Sequence, residues 1–243
     1  MKLRHLILIV LMIVAGCNYF PQHRQGISVL ALVDYSQSSQ VFHPEYQRTL
    51  KQLIEALPPH SHLIVGRICE NTEAKFIPEI NLISPGWDSK LSEMTAEKPE
   101  LDEYNQQKIQ YQAQIDSSFK AFFAQTQFSQ FTDVLSSLRI ASEVFPQAES
   151  KRVLVFLSDM LHDTPELNLE RAALDESNID QVTNQLIQQK RIPDLTGFEI
   201  YVAGAYCSDE TRYRAVREFW EGVFHAASAQ IISYGHSITS FNF

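Results

Sequence analysis

GISVLALVDYSQSSQ, residues Gly26 to Gln40, is the stretch on which the fold turns. Ile27 to Val33 is apolar apart from Ser28; a glycine precedes the run, and it ends on Asp34 before a polar cluster. A Val-, Leu- and Ile-rich run without alternation reads as a strand covered on both faces, which argues a central parallel strand of an α/β sheet. Ligands of open α/β sheets bind just beyond the carboxyl ends of the strands, so Asp34, Ser36 and Ser38 stand where chemistry is expected. One carboxylate and two hydroxyls at alternate positions can converge on a hard cation. The set suits Mg²⁺, which keeps several waters and seldom takes an all-protein cage. Read alone, the same five residues also describe a serine-rich turn after a buried strand.

Upstream lies a targeting segment. Lys2, Arg4 and His5 make a basic start, Leu6 to Val14 a short apolar core, and Ala15 and Gly16 the small pair before Cys17. A cysteine directly after the small pair resembles the bacterial lipoprotein signal, which implies acylation of Cys17 as the mature N-terminus. A plain membrane anchor, or a chance cysteine in a secretory signal, is the alternative; the apolar run is short for a span. The division expected is a signal peptide over 1–16, a tether over 17–25 and one domain over 26–243. Asn18 stands where inner-membrane retention favours Asp, which points to the outer membrane in a host that has two.

The whole chain carries a net charge of −9; cleavage after Gly16 removes Lys2 and Arg4 but no acid, leaving −11. That excludes nucleic acid as an expected partner, and electrostatic binding to an anionic membrane surface. Cys69 and Cys207 would share an oxidising compartment, which favours a disulfide. Each follows a predicted strand, however, and those strands are not expected to be neighbours, which argues against a bridge.

Downstream, Tyr46, Leu50, Leu53, Ile54 and Leu57 recur at helical steps over 44–57, ended by Pro58 and Pro59. A second strand runs from Leu63 to Ile68. Residues 69–90 read as irregular, with one alternating piece, Lys75 to Ile83, fit for an edge strand. Leu101, Tyr104, Tyr111, Ile115, Phe119 and Phe122 stripe a long amphipathic helix over 99–124; Lys108 interrupts the stripe and Ile109 points away from it. Thr132 and Asp133 open the next helix, with Asp133 in its first turn. KRVLVFLSD, Lys151 to Asp159, is a second buried strand ending on an aspartate. A helix over 179–189, a strand over 197–204, a helix capped by Ser208 and a last strand over 230–234 follow, and residues 237–243 form a tail. Strands alternating with helices imply a doubly wound, mostly parallel α/β sheet with helices on both faces.

Asp34, Ser36 and Ser38 after the first strand, Thr132 at the head of a helix midway, and Asp159 at the end of the following strand agree in order and position. Together they resemble the metal-ion-dependent adhesion site of von Willebrand factor A-type domains. The resemblance spans Gly26 to about Tyr234 and implies sheet order 3-2-1-4-5-6 with one antiparallel edge strand. It further implies Mg²⁺ or Mn²⁺ held by Ser36, Ser38 and Thr132, with Asp34 and Asp159 acting through waters or exchanging with them. A coordination position left open in this way invites an acidic side chain from a protein partner. Met160 departs from the family, where glycine is common, and the stretch between Ser38 and Thr132 is longer than usual.

The expected function is therefore a membrane-anchored, metal-dependent adhesion or scaffold module of a bacterial envelope, not an enzyme. One alternative is a metal-independent scaffold of the same fold. Another is a Mg²⁺-dependent phosphotransferase or hydrolase with Asp34 as nucleophile, but that chemistry wants a second aspartate where Ser36 stands. No GxSxG surrounds Ser36 or Ser38. His60 and His62 lack a third metal ligand and read as a solvated turn, while His162 and Asp163 read as plain loop residues.

Overall fold

The computed structural model describes residues 26–86, 98–145, 150–172 and 174–243. The signal segment, Cys17 and the tether lie outside them. Six strands form one sheet: β1 (Ser28–Asp34), β2 (His62–Ile68), β3 (Ile80–Ile83), β4 (Arg152–Leu157), β5 (Phe198–Ala203) and β6 (Gln230–Gly235). Their order is β3-β2-β1-β4-β5-β6, with every neighbouring pair parallel except β2 and β3. This is the order and the single antiparallel edge that the resemblance implied.

All seven residues of β1 are buried, as a central strand requires. Leu30 and Leu32 face one core, with Ile64, Leu154 and Phe156 from the neighbouring strands. Val29, Ala31 and Val33 face the other, with Leu63, Val65, Val153 and Val155. The second face is covered by α1 (His43–Ala56) through Tyr46, Leu50 and Leu53. After the short α2 (Thr72–Lys75), in the stretch read as irregular, α3 (Lys98–Phe123) joins the same face. The first face carries α4 (Val134–Val144), α5 (Glu176–Gln188) and α6 (Glu210–Ala226); α6 buries Val216, Phe219, Trp220 and Val223 as expected, and Phe224 besides.

The stripe of α3 is half used. Ile115 and Phe122 are buried, Tyr111 and Phe119 partly so, whereas Ile109 is 61% exposed and Lys108 Nζ lies 5.5 Å from the Tyr104 ring centroid. Two helix caps differ from expectation. Asp133 is the N-cap of α4, accepting from Ser136 N, because its side chain reaches back to a donor that the helix leaves unpaired. Asp209, not Ser208, caps α6, accepting from Thr211 N and Arg212 N. Cys69 and Cys207 are free: they follow β2 and β5, with β1 and β4 between.

Candidate metal centre

β1 and β4 pair in parallel register with Val33 opposite Leu157, so the residues just beyond, Asp34 and the Ser158–Asp159 pair, emerge side by side. Asp34 is wholly buried; its Oδ1 accepts from Ser36 N at 2.8 Å and its Oδ2 from Ser158 Oγ at 2.7 Å. The turn after it is pinned by Ser39, whose hydroxyl lies 2.9 Å from the Asp34 carbonyl and 3.0 Å from that of Ser36. His43 Nε2 reaches the Asp34 carbonyl as well, at 2.9 Å.

Ser36 Oγ and Ser38 Oγ are 3.1 Å apart, and Ser38 Oγ donates to Asp159 Oδ2 at 3.3 Å. Asp159 Oδ1 accepts from Leu161 N at 2.9 Å. Four of the five expected residues thus converge, with Ser38 exposed at the mouth and both carboxylates beneath it. Thr132 meets the loop that follows Asp159, through its backbone. Its N–H and carbonyl pair with Asp163 at 3.0 and 2.8 Å, stitching the head of α4 to the loop after Asp159. Among the described residues no hydrogen bond joins the Thr132 hydroxyl to the cluster.

The electrostatics turn on what surrounds the two carboxylates. Among the described residues no Lys or Arg forms an ion pair with Asp34 or Asp159. Burial raises the Asp34 pKa, against hydrogen bonds from Ser158 and Ser36 that favour the anion. Burial, and then the charge of Asp34, pushes Asp159 up to about 8. Tyr46 is buried nearby with its hydroxyl unpartnered among the described residues. Its phenol is raised by burial first and then by both aspartates. Buried charge without a counter-charge is costly, and the five expected side chains all offer oxygen, the chemistry of a hard cation. The residues present fit Mg²⁺ or Mn²⁺. No group of three or more His, Cys, Asp and Glu side chains is arranged for a metal among the described residues, so a metal here would need the serine and threonine hydroxyls as ligands.

No protein-family model and no curated protein matches the sequence. A solved structure, the von Willebrand factor type A protein from Catenulispora acidiphila, is similar to this chain. The match has a TM-score of 0.40 and 12% identity, over 87% of this chain and 39% of that one.

Sequence reading missed three residues. Ser158 holds an Asp34 oxygen across the sheet; the one available signal was a hydroxyl beside Asp159 at a strand end. Ser39 was visible only as the last serine of the run. His162, expected in a plain loop, is completely buried. Its Nδ1 accepts from Leu135 N at 3.3 Å, at the head of α4, and burial drives its pKa down to about 4. It is a neutral structural acceptor. Asp163 also has fixed partners: its Oδ1 accepts from Asn168 Nδ2 at 2.6 Å. His62 contacts Asn81 across the β2–β3 pair at 2.8 Å.

Proposed function

We propose that this chain is a binding module that holds Mg²⁺ or Mn²⁺ at Asp34, Ser36, Ser38, Thr132 and Asp159 and takes a carboxylate of a protein partner there. Lipidation at Cys17 would tether it to a bacterial envelope membrane. The observation that carries the reading is the pair of buried aspartates, facing two serine hydroxyls, with no basic ion-pair partner among the described residues. Asp34 and Asp159 supply charge from below, while Ser36 and Ser38 supply neutral oxygens near the mouth. A bound divalent cation supplies the largest local positive charge, which lets a mature chain of −11 engage an acidic group.

An enzymatic role for Asp34 is disfavoured. Both of its oxygens already accept hydrogen bonds and none of its surface is exposed, which is poor provision for a nucleophile. The test is calorimetric titration of Mg²⁺ into wild type, Asp34→Asn and Ser36→Ala, followed by capture of envelope proteins with chelator, Mg²⁺ or Ca²⁺. Wild type should bind one ion, both variants should lose most of the affinity, and capture should need Mg²⁺, with Ca²⁺ restoring it less well. Absence of Mg²⁺ binding in wild type ends the metal reading. A partner retained equally in chelator makes the domain a metal-independent scaffold. Mass spectrometry of the membrane-extracted protein tests the anchor, which requires a diacylglyceryl adduct on Cys17.

A further inference from the structure

A cavity of about 880 Å³ opens beside the candidate metal centre, on its β2 side. Two of its lining residues are direct neighbours of the centre. Tyr35 lies in the chain between Asp34 and Ser36, and Ser129 is bonded to both flanks of Ser36: its N–H donates to the Tyr35 carbonyl at 2.7 Å and its carbonyl accepts from Gln37 N at 2.9 Å. The Ser129 hydroxyl accepts from Glu70 N at 2.8 Å, so one residue joins the metal loop to the far wall.

The floor is rigid. The Tyr35 ring stacks on Phe128 at 5.6 Å, with its hydroxyl donating to the Phe122 carbonyl at 2.7 Å. The Arg67 guanidinium lies 4.1 Å from the centroid of the Tyr35 ring. The charges of the walls are already matched. Arg67 pairs with Glu79 at 2.7 Å in the wall, and Lys75 with Glu70 at 2.6 Å at its half-exposed rim, so each charge facing the cavity has a counter-charge. What remains to meet an occupant is the half-buried Phe128 ring, the Gln127 amide and Ile77, which is 68% exposed; Tyr35 is buried beneath Arg67, and the Gln125 amide oxygen already accepts from Arg67. Such a lining favours an uncharged segment that pairs an aliphatic side chain with an amide, and penalises a charged one, whose desolvation would go uncompensated.

We infer that this cavity is a specificity subsite for the uncharged residues adjoining the partner's metal-bound acid, a segment carrying aliphatic and amide side chains. The inference rests on the metal reading above. An extended peptide advances about 3.3–3.6 Å per residue, so the residues next to an acid held at Ser38 run toward the near edge of the cavity, formed by Ser129, which is bonded to both flanks of Ser36, and Phe128. The volume suits two or three side chains of a peptide rather than one small ion.

Fluorescein-labelled pentapeptides test it by anisotropy. The probes are Gly-Gly-Asp-Gly-Gly, the Leu-Gln versions on either side of the Asp, the matching Lys-Lys and Glu-Glu versions, and Leu-Gln peptides lacking the Asp. In Mg²⁺ one of the Leu-Gln peptides should bind about tenfold tighter than the all-glycine reference, which is what burying one aliphatic side chain supplies. The charged versions should show no gain. The same ratio, measured in Ile77→Asp and in Gln127→Glu, both at exposed positions that leave the core intact, should fall toward one. Mg²⁺-dependent binding that ignores the flanks overturns the subsite and leaves the metal reading standing, as does an unchanged ratio in both variants. A Leu-Gln preference that persists in chelator and without the Asp keeps the cavity as a peptide site and removes the metal reading.

Discussion

Met160 sits in the left-handed region at φ +66 with its side chain completely buried. For an L-residue that conformation costs about 1–2 kcal/mol. It is held by hydrogen bonds on both sides of the residue: Met160 N donates to Ser158 Oγ at 2.9 Å, and the Met160 carbonyl accepts from Trp220 Nε1 at 2.8 Å. Glycine would relieve the backbone but lose a buried side chain worth about 2–5 kcal/mol. Met160→Gly is therefore expected to unfold at lower urea concentration with unchanged slope, a net loss of about 1–3 kcal/mol. A variant more stable than wild type would mean that backbone strain outweighs packing here. At this scale Asp34, Ser36, Ser38 and Asp159 were legible because each stands at a strand end with its neighbours in view. Ser158 and His162 were not, because their partners, Asp34 and Leu135, lie 124 and 27 residues away in the chain.

Helix starts show how far a local pattern reaches. Ser208 and Asp209 are adjacent and both are good caps; the local pattern places the start of α6 correctly but names Ser208 as the cap. The structure chooses Asp209, whose Oδ1 lies 2.9 Å from Thr211 N and 3.2 Å from Arg212 N. Asp209→Ala should cost about 1 kcal/mol of stability in chemical denaturation, and Ser208→Ala no more than a few tenths. Equal losses would return the cap to Ser208. The long helix α3 makes the same point through packing. Its apolar stripe was readable, yet among its described residues full burial is reached only at Ile115 and Phe122. Periodicity says which side of a helix is apolar and nothing about where the sheet beneath it ends. The tail is the converse case. Phe241 and Phe243 have no periodic context, but their rings lie 5.5 and 6.0 Å from that of Tyr201, on the face that α1 and α3 cover.

Over the whole molecule, the two buried aspartates make stability depend on pH in a direction that metal should alter. Asp159 ordinarily titrates near 3.8 and is held up to about 8 in the fold by burial and by Asp34. The folded state therefore binds this proton more tightly than the unfolded chain. That contribution is full below about pH 4 and is lost as the pH rises to about 8. Buried His162, held down to about 4, works the other way up to about pH 6.5, so in chelator the melting temperature should fall between about pH 6.5 and 8. On the function proposed above, Mg²⁺ would bind the ionised site of the folded state only, so it should raise the melting temperature more at the alkaline end. Scanning calorimetry with and without Mg²⁺ decides; a chelator profile that rises between about pH 6.5 and 8 would contradict the burial of this pair. The sequence by itself determined the central strand, the alternation of strands and helices, the two-faced core and the oxygen-bearing residues at the strand ends. All of these are written in the spacing of near neighbours, through the helical and strand periods and the punctuation between them. Only the tertiary structure decided that Asp159 meets Ser38, that no basic side chain forms an ion pair with the two carboxylates among the described residues, and that a charge-balanced cavity adjoins them. Those facts depend on which strands lie side by side and on what burial then removes from water, and neither is encoded in any single stretch of the chain.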